Sequence, residues 1–346
     1  MNQKPAELGF HMPAEWEPHQ AIWLSWPYDK IDFPDGAAEV EKTYVSLVSS
    51  IHNSEQVELL VLDKAMKERV ADMLVAAGVH LSKVKFHIAD YVSFWMRDTG
   101  PLFVVNRENK QQAMTKWIFN AWGNKYPEFL KDNNIPYQMK LWLGLEMFEP
   151  GIVMEGGSLE VNGRGTLMTT EQCLLNKNRN PQLSKEKLEQ YLKDYLGVKH
   201  FIWLKDGIVG DDTDGHIDDI ARFVSPDTVL CAYEDDASDE NHQILKDNYE
   251  LLQSATDQGG KPLKIVKLPM PGRLNDSTGR RLPASYANFY IGNTVVLVPT
   301  FNHENDKKAL QIIQSFFPDR NAIGIDARDL VFALGAFHCA SQQQPL

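Results

Sequence analysis

Cysteine is scarce in this chain: Cys173, Cys231 and Cys339 are the only three among 346 residues. An odd number at wide, irregular spacing fits neither a disulfide framework nor a tetrahedral zinc site, and no metal is expected. Apolar runs are short as well, and none approaches the roughly 18 uninterrupted residues of a membrane span. The stretch Met1-Asn2-Gln3-Lys4-Pro5-Ala6-Glu7 has no charged-then-apolar leader pattern. No membrane partner and a cytoplasmic location are therefore expected. Blocks of Lys and Arg are also missing, and the formal net charge is −12, which speaks against nucleic acid as a partner. The acidic excess would attract a cationic small molecule, although acidity for solubility alone is common. A dinucleotide-type glycine fingerprint is absent too. Glu155-Gly156-Gly157-Ser158 puts a carboxylate where a phosphate cradle would have none.

What the chain does have is enough apolar content, 43%, to bury a substantial core. Nothing reads as a linker, so residues 1–346 are expected to form a single domain. An order of elements repeats along it. Ser158 to Val161, a turn at Asn162-Gly163-Arg164-Gly165 and Thr166 to Thr170 read as a hairpin. A helix over Leu183–Leu196 follows, with Leu188, Tyr191, Leu192 and Tyr195 on one face and Gly197 closing it, and then a strand His200–Leu204. The same ββαβ order returns from Ile220, with Ala221–Val224, Val229–Tyr233, a helix near Asn241–Ser254 and a strand Leu263–Leu268. It returns again from Tyr286, with Ala287–Ile291, Val295–Pro299, a helix at about Lys307–Phe317 and a strand Ala322–Ile325. A looser copy opens at Pro101–Val105. The first third alternates strands Ala21–Trp26 and Val57–Leu62 with helices at about Ala37–His52 and Ala65–Ala77.

Five such units predict an α/β fold that closes as a five-bladed propeller of ββαβ modules with pseudo-fivefold symmetry. A strand after Cys339 would pair beside Ala21–Trp26 to seal the ring and remove its open edges. Polar residues fall at corresponding places in the modules: Asp98, Glu155, His216 with Asp218, and Asn288. His216 and Asp218, two apart before Ile220, are expected at the mouth of a strand on one shared face. Equivalent loops of a ring meet at its axis, which gathers these residues around Cys339 as a candidate nucleophile with a histidine and acids. Cys173 and Cys231 flank apolar residues and read as core. Asp211, Asp212 and Asp214 lack the calcium-loop spacing and read as a solvated loop or an attractor of substrate.

The segments Trp95-Met96-Arg97-Asp98-Thr99-Gly100-Pro101, Phe119-Asn120-Ala121-Trp122-Gly123, Glu155-Gly156-Gly157-Ser158, Asp214-Gly215-His216-Ile217-Asp218 and His338-Cys339 resemble those of the agmatine deiminases. So do Met12-Pro13-Ala14-Glu15-Trp16, Asn176 to Pro181, Leu282 to Tyr290 and the Gln342-Gln343-Gln344-Pro345 tail. The likeness spans nearly the whole chain and implies the guanidine-modifying superfamily, whose fold is a five-bladed α/β propeller. It implies Cys339 as nucleophile, His216 as general acid and base, and Glu155 as a third acid that orients the histidine or contacts substrate. It implies Asp98 and Asp218 as the guanidinium-binding carboxylates, a role their chemistry suits, because a guanidinium is a planar fork of donors. Agmatine would be the substrate, N-carbamoylputrescine and ammonia the products, with no cofactor and a homo-oligomeric state. The stretch Phe332-Ala333-Leu334-Gly335-Ala336-Phe337 departs from the glycine run of that family, which bears on substrate choice. Trp95 and Trp122 would line the alkyl chain of the substrate, or else pack the core. Two rival functions remain: deimination of arginine residues in peptides, and non-catalytic binding of polyamines or guanidines. Binding alone would not need the thiol.

Overall fold

A computed structural model describes residues 3–29, 31–33 and 36–346; Met1 and Asn2, part of the leader stretch considered above, lie outside it. Its strands fall into five small mixed sheets. The first third supplies β1 (His19–Ser25), β2 (Gln56–Val61) and β3 (Val84–Ile88), all parallel. The next sheet is β4 (Leu102–Asn106), β5 (Gln111–Thr115) and β6 (Glu146–Phe148). Then come β7 (Glu160–Val161), β8 (Thr166–Thr170) and β9 (His200–Leu204), followed by β10 (Ala221–Ser225), β11 (Thr228–Tyr233) and β12 (Lys264–Pro269). The last modules are β13 (Tyr290–Ile291), β14 (Val295–Thr300) and β15 (Asn321–Asp326), and finally β16 (Ser341–Pro345).

Each of the last four three-stranded sheets repeats one pattern, an antiparallel pair followed by a parallel third strand. The remaining sheet completes that pattern with both ends of the fold. β16 pairs antiparallel with β1, from His19 opposite Pro345 to Leu24 opposite Ser341, and β2 follows in parallel. The predicted seal is therefore present, with β3 added as a fourth strand. Parallel neighbours need a crossover, and helices supply it, for example Ala38–Ile51, Lys185–Leu196, Asn241–Gln253 and Asp306–Phe316. The helix Lys185–Leu196 shows why the local sequence folds as it does. Ser184 caps it by accepting from the Lys187 amide, Leu188, Leu192, Tyr195 and Leu196 are buried, and Gly197 ends it at φ +67°.

The expected boundaries hold to within a few residues except at the mouths of the sheets. The strand expected over Ala287–Ile291 shrinks to Tyr290–Ile291 because the preceding backbone is claimed elsewhere. The Ala287 and Phe289 carbonyls accept from Arg222 Nη1 at 3.1 and 2.6 Å. Ser158 and Leu159, expected in a strand, belong to a 3₁₀ turn at Gly156–Ser158 and its cap. His216 and Asp218 likewise do not alternate along a strand. Ile217–Asp219 is a 3₁₀ turn with His216 at its N-cap. Among the described residues no helix is long and apolar enough to cross a membrane.

Candidate active site

The mouths of the sheets bring one residue or pair from each module to a common buried point. Asp98 comes from the turn Met96–Thr99 before β4, and Glu155 precedes the turn before β7. His216 and Asp218 stand before β10, Asn288 before β13 and Cys339 before β16. All six are buried.

Cys339 is held by a network that spends Asn288 completely. The Asn288 amide Nδ2 donates to Cys339 Sγ at 3.0 Å and to Asp219 Oδ1 at 2.9 Å. Its Oδ1 accepts from the His338 and Cys339 backbone amides at 3.0 and 3.2 Å. Asn288, expected among the polar residues gathered around Cys339, holds the His338–Cys339 turn. Asp218 Oδ2 sits 3.4 Å from the thiol and 2.7 Å from His338 Nδ1. Burial holds the thiol well above its usual pKa, and Asp218, Asp219 and Asp98 push the same way, against the Asn288 hydrogen bond. Burial would also raise Asp218, but the hydrogen bond and charge of His338, with His216, outweigh it and keep its pKa low.

Asp98 is fixed from two sides: Trp122 Nε1 donates to Oδ2 and the Gly157 amide to Oδ1, both at 2.9 Å. Gly157 has to be glycine here, because a Cβ would stand 2.5 Å from His216 Nδ1 and 3.0 Å from Asp98 Oδ1. Trp122 belongs to a left-handed turn in which Ala121, Trp122, Gly123 and Asn124 all have positive φ. Such a backbone costs a residue with a Cβ roughly 1–2 kcal/mol, a cost met where structure around a site dictates it. Asn120 closes the turn through its Oδ1 and the Gly123 amide at 2.8 Å, and donates to the Asn178 carbonyl at 2.9 Å.

His216 Nδ1 lies 3.8 Å from Asp98 Oδ2. Burial works to lower its pKa, but Asp98 first, then Cys173 and Asp218, carry it well above the ordinary value. Glu155 Oε1 accepts from Arg179 Nε at 2.6 Å; burial still raises the Glu155 pKa above normal, against the Arg179 charge. Cys173 is buried as expected, yet it is more than core. Its thiol, one His216 ring nitrogen and one Glu155 oxygen lie within 4.8 Å of one another, whereas Cys231 sits within β11. Among the described residues, Glu155 Oε2, both His216 ring nitrogens and Asp218 Oδ1 are buried without a hydrogen-bond partner. Buried polar atoms are nearly always satisfied, so four such atoms on three residues of this cluster mark a place built for a polar ligand.

A narrow cavity of about 40 Å³ leads outward from this point. Its wall includes Cys339, Asp98, Trp95, Trp122, Phe129 and Leu334, with Tyr126, Asp32 and Asp212 also on the lining. His216, Asp218 and Glu155 are buried and are not on that lining. Trp95 and Trp122 line the cavity while packed in the main core, Trp122 against Phe119 and Phe129.

Glu15 and Arg97, both in segments that carry the family likeness, complete the frame. Glu15 Oε2 meets Arg222 Nη2 at 2.5 Å and His338 Nε2 at 2.9 Å, while Oε1 accepts from the Ile291 amide at 2.7 Å. Arg97 braces the nucleophile turn, donating to the His338 carbonyl at 3.2 Å and to Gln343 at 2.7 Å, and its own amide donates to the Cys339 carbonyl at 3.1 Å. Of the acidic run, Asp211 organises its own loop by accepting from the Thr213, Gly215 and His216 amides. Asp214 pairs with Lys125 and Arg179, and Asp212 accepts from Tyr126.

A family model for the Porphyromonas-type peptidyl-arginine deiminases matches residues 11–345. The chain belongs to that family. A curated Legionella pneumophila relative carrying an agmatine deiminase name is 40% identical over 353 residues, covering 100% of this chain and 97% of its own. The solved agmatine deiminase of Enterococcus faecalis superposes with a TM-score of 0.93 at 32% identity, covering 100% of this chain and 98% of that one. A Campylobacter jejuni agmatine deiminase with substrate bound gives 0.88 at 30% identity, with 97% and 96% covered. Within this deiminase family the mixed α/β fold with its five sheets is shared over the whole chain.

Proposed function

We propose that the protein is an agmatine deiminase, hydrolysing agmatine to N-carbamoylputrescine and ammonia. The observation that carries this reading is the buried cluster in which Asp218 stands 3.4 Å from the Cys339 thiol, Asp98 shares its cavity and faces His216 at 3.8 Å, and Asp218 and Glu155 keep unpartnered acceptor oxygens. A guanidinium presents planar N–H donors to carboxylates and leaves its carbon facing the sulfur. Asp98 and Asp218 grip it, and its positive charge offsets the carboxylates that hold the thiol protonated, which favours the thiolate when substrate binds.

In the first half-reaction the Cys339 sulfur bonds to the guanidinium carbon. The carbon–nitrogen bond breaks as His216 gives its proton to the departing ammonia, leaving an S-amidino intermediate. His216, now neutral, takes a proton from water, whose oxygen bonds to the same carbon. The carbon–sulfur bond then breaks, returning the thiolate and releasing the ureido product. The raised pKa of His216 suits its first role, since it arrives protonated. Glu155, tied to Arg179, holds the far side of this pocket.

The distal end favours agmatine over arginine. Among the described residues no Lys or Arg lines the cavity, so a substrate carboxylate finds no cationic partner there; of the two outer acids, Asp212 also pairs with Arg280 at 3.6 Å and burial raises the pKa of Asp32. The relatives that carry the agmatine deiminase name support the same choice. A cytoplasmic enzyme acting on a small cation is the corresponding setting. The test is ammonia and ureido product from agmatine, free arginine and an arginine peptide side by side, with Cys339→Ala as control. Turnover of agmatine that vanishes in the variant is expected. Preferred turnover of the peptide, or full activity of the variant, would sink the reading.

A further inference from the structure

Leu334 stands five residues before the nucleophile, on the turn that follows the short helix Arg328–Val331. Its amide donates to the Val331 carbonyl at 2.9 Å, and its backbone lies at φ +74°. That is left-handed territory, which glycine enters freely and which a residue with a Cβ occupies at a cost. Asn and Asp, the usual non-glycine tenants, can satisfy local backbone groups there, and a leucine cannot. Many glycines of this chain already occupy positive φ, so the fold uses the cheap solution elsewhere. A leucine kept in such a backbone needs a reason in its side chain.

The side chain is in the cavity wall. Leu334 and Ala333 line it together with Trp95, Trp122 and Phe129, on the route from solvent to Cys339. Leu334 is only partly buried and packs against the main core, while its neighbour Phe332 is 50% exposed. The next residue, Gly335, is locked in place, because a Cβ there would stand 2.7 Å from the Trp95 ring and 3.1 Å from Cys339 Cβ. Gly335 thus sets the turn directly against the Trp95 ring and the thiol-bearing residue. The turn's one adjustable projection into the cavity is the leucine.

We propose that Leu334 is a specificity-determining residue: it narrows the approach to Cys339 so that only guanidines on a slim, unbranched alkyl chain pass, and it excludes those attached to an amino-acid main chain. This rests on the deiminase reading given above. A methylene chain gains from apolar contact with Leu334 and the two tryptophans. A main chain three carbons from the guanidinium would have to place its polar groups against that wall, where the Trp122, Tyr126 and Thr213 donors are already committed to Asp98, Asp212 and Asp211.

The experiment compares kcat/KM for agmatine and for N-acetyl-arginine amide in the wild type, Leu334→Gly and Leu334→Ala. Wild type should act on agmatine and scarcely on the arginine derivative. Both variants should lower the ratio of the two values by at least about tenfold, equivalent to about 1.4 kcal/mol, chiefly by gaining on the bulkier substrate. Leu334→Gly should also melt no lower than Leu334→Ala, since glycine alone relieves the backbone. An unchanged ratio, or a parallel fall on both substrates, would overturn the assignment and leave Leu334 a packing residue. Wild type that prefers the arginine derivative, or that is silent on agmatine, would instead overturn the deiminase reading and this inference with it. The two failures appear in different rows of the same table of rates. Because the alanine variant keeps a helix-compatible Cβ and the glycine variant relaxes the turn, a folding defect confined to one leaves the other to decide.

Discussion

His216 Nδ1 and Asp98 Oδ2 face one another at 3.8 Å, yet neither ring nitrogen of His216 has a hydrogen-bond partner among the described residues. The relationship is electrostatic rather than bonded. Asp98 keeps the imidazole charged across the gap while both nitrogens stay available to substrate or water. A base already engaged with a carboxylate would have to break that contact before moving a proton; here none has to be broken.

This predicts how the alkaline limb of the rate profile moves. His216 must be protonated to release ammonia, so activity should fall as pH rises through its elevated pKa. Asp98→Asn removes the leading cause of that elevation, so the fall should begin at lower pH. Activity should also drop by about 10²–10⁴-fold, a range typical of lost acid–base support. Cys173→Ala removes a smaller cause in the same direction, so its limb should shift less, and most of the rate should survive. A kcat/KM profile against pH for the three proteins checks the order. Identical limbs would show that neither group sets the His216 charge.

Glu15 predicts an effect on stability. Burial would raise its pKa, but Arg222, His338 and Arg97 hold it far below the usual carboxylate range. A carboxylate depressed on folding contributes stability in full above its unfolded pKa, about 4.3, and loses it as pH falls through the lower folded value. The wild-type frame should therefore keep this contribution through mildly acidic conditions. Glu15→Gln leaves Arg222 and His338 facing a neutral amide in a buried place, at a cost of about 3–5 kcal/mol. Urea unfolding at neutral pH should show that loss, and a midpoint unchanged from wild type would contradict it.

Gly123 predicts an effect transmitted to the site. A Cβ there would collide with the Asn178 side chain, and the residue has φ +86°. Gly123→Ala should thus disturb the left-handed turn that carries Trp122 and with it the hydrogen bond to Asp98. Lower thermal stability is expected together with at least about a tenfold fall in kcat/KM, since small misplacements of a gripping group are expensive. A variant that melts lower but retains full kcat/KM would separate the turn from the chemistry.

Periodicity carried the repeated modules and the seal between β1 and β16, because amphipathic helices and turn residues leave marks in one dimension. The short strands β5 and β6 left little: Gln111–Thr115 opens polar, and Glu146–Phe148 has only three residues. At the mouths of the sheets the local rule failed where tertiary demands won. His216 and Asp218 separate on a 3₁₀ turn rather than alternate, and Ala287 and Phe289 give their carbonyls to Arg222. The site residues Cys339, His216, Asp98, Glu155 and Asp218 were legible through the order of modules and the family likeness. Glu15, Arg179 and Cys173 were not, since a glutamate before Trp16, an arginine in a loop and a cysteine between Gln172 and Leu174 look ordinary until the ring folds them inward. Asn288 shows the converse case, found in the right place with its side chain committed to the thiol.

The nucleophile stands two residues before β16, the strand that closes the ring against β1. In chain order Asp98, Glu155 and His216 all precede the thiol by more than a hundred residues, and four sheets' worth of strands, β4 to β15, are made before it. When Cys339 emerges, the same short segment that delivers it must also zip onto the first strand to give it Asn288, Asp218 and Arg97. The contacts that surround the thiol and the pairing that joins the two ends of the chain thus belong to one segment, so loosening β16 from β1 would loosen both.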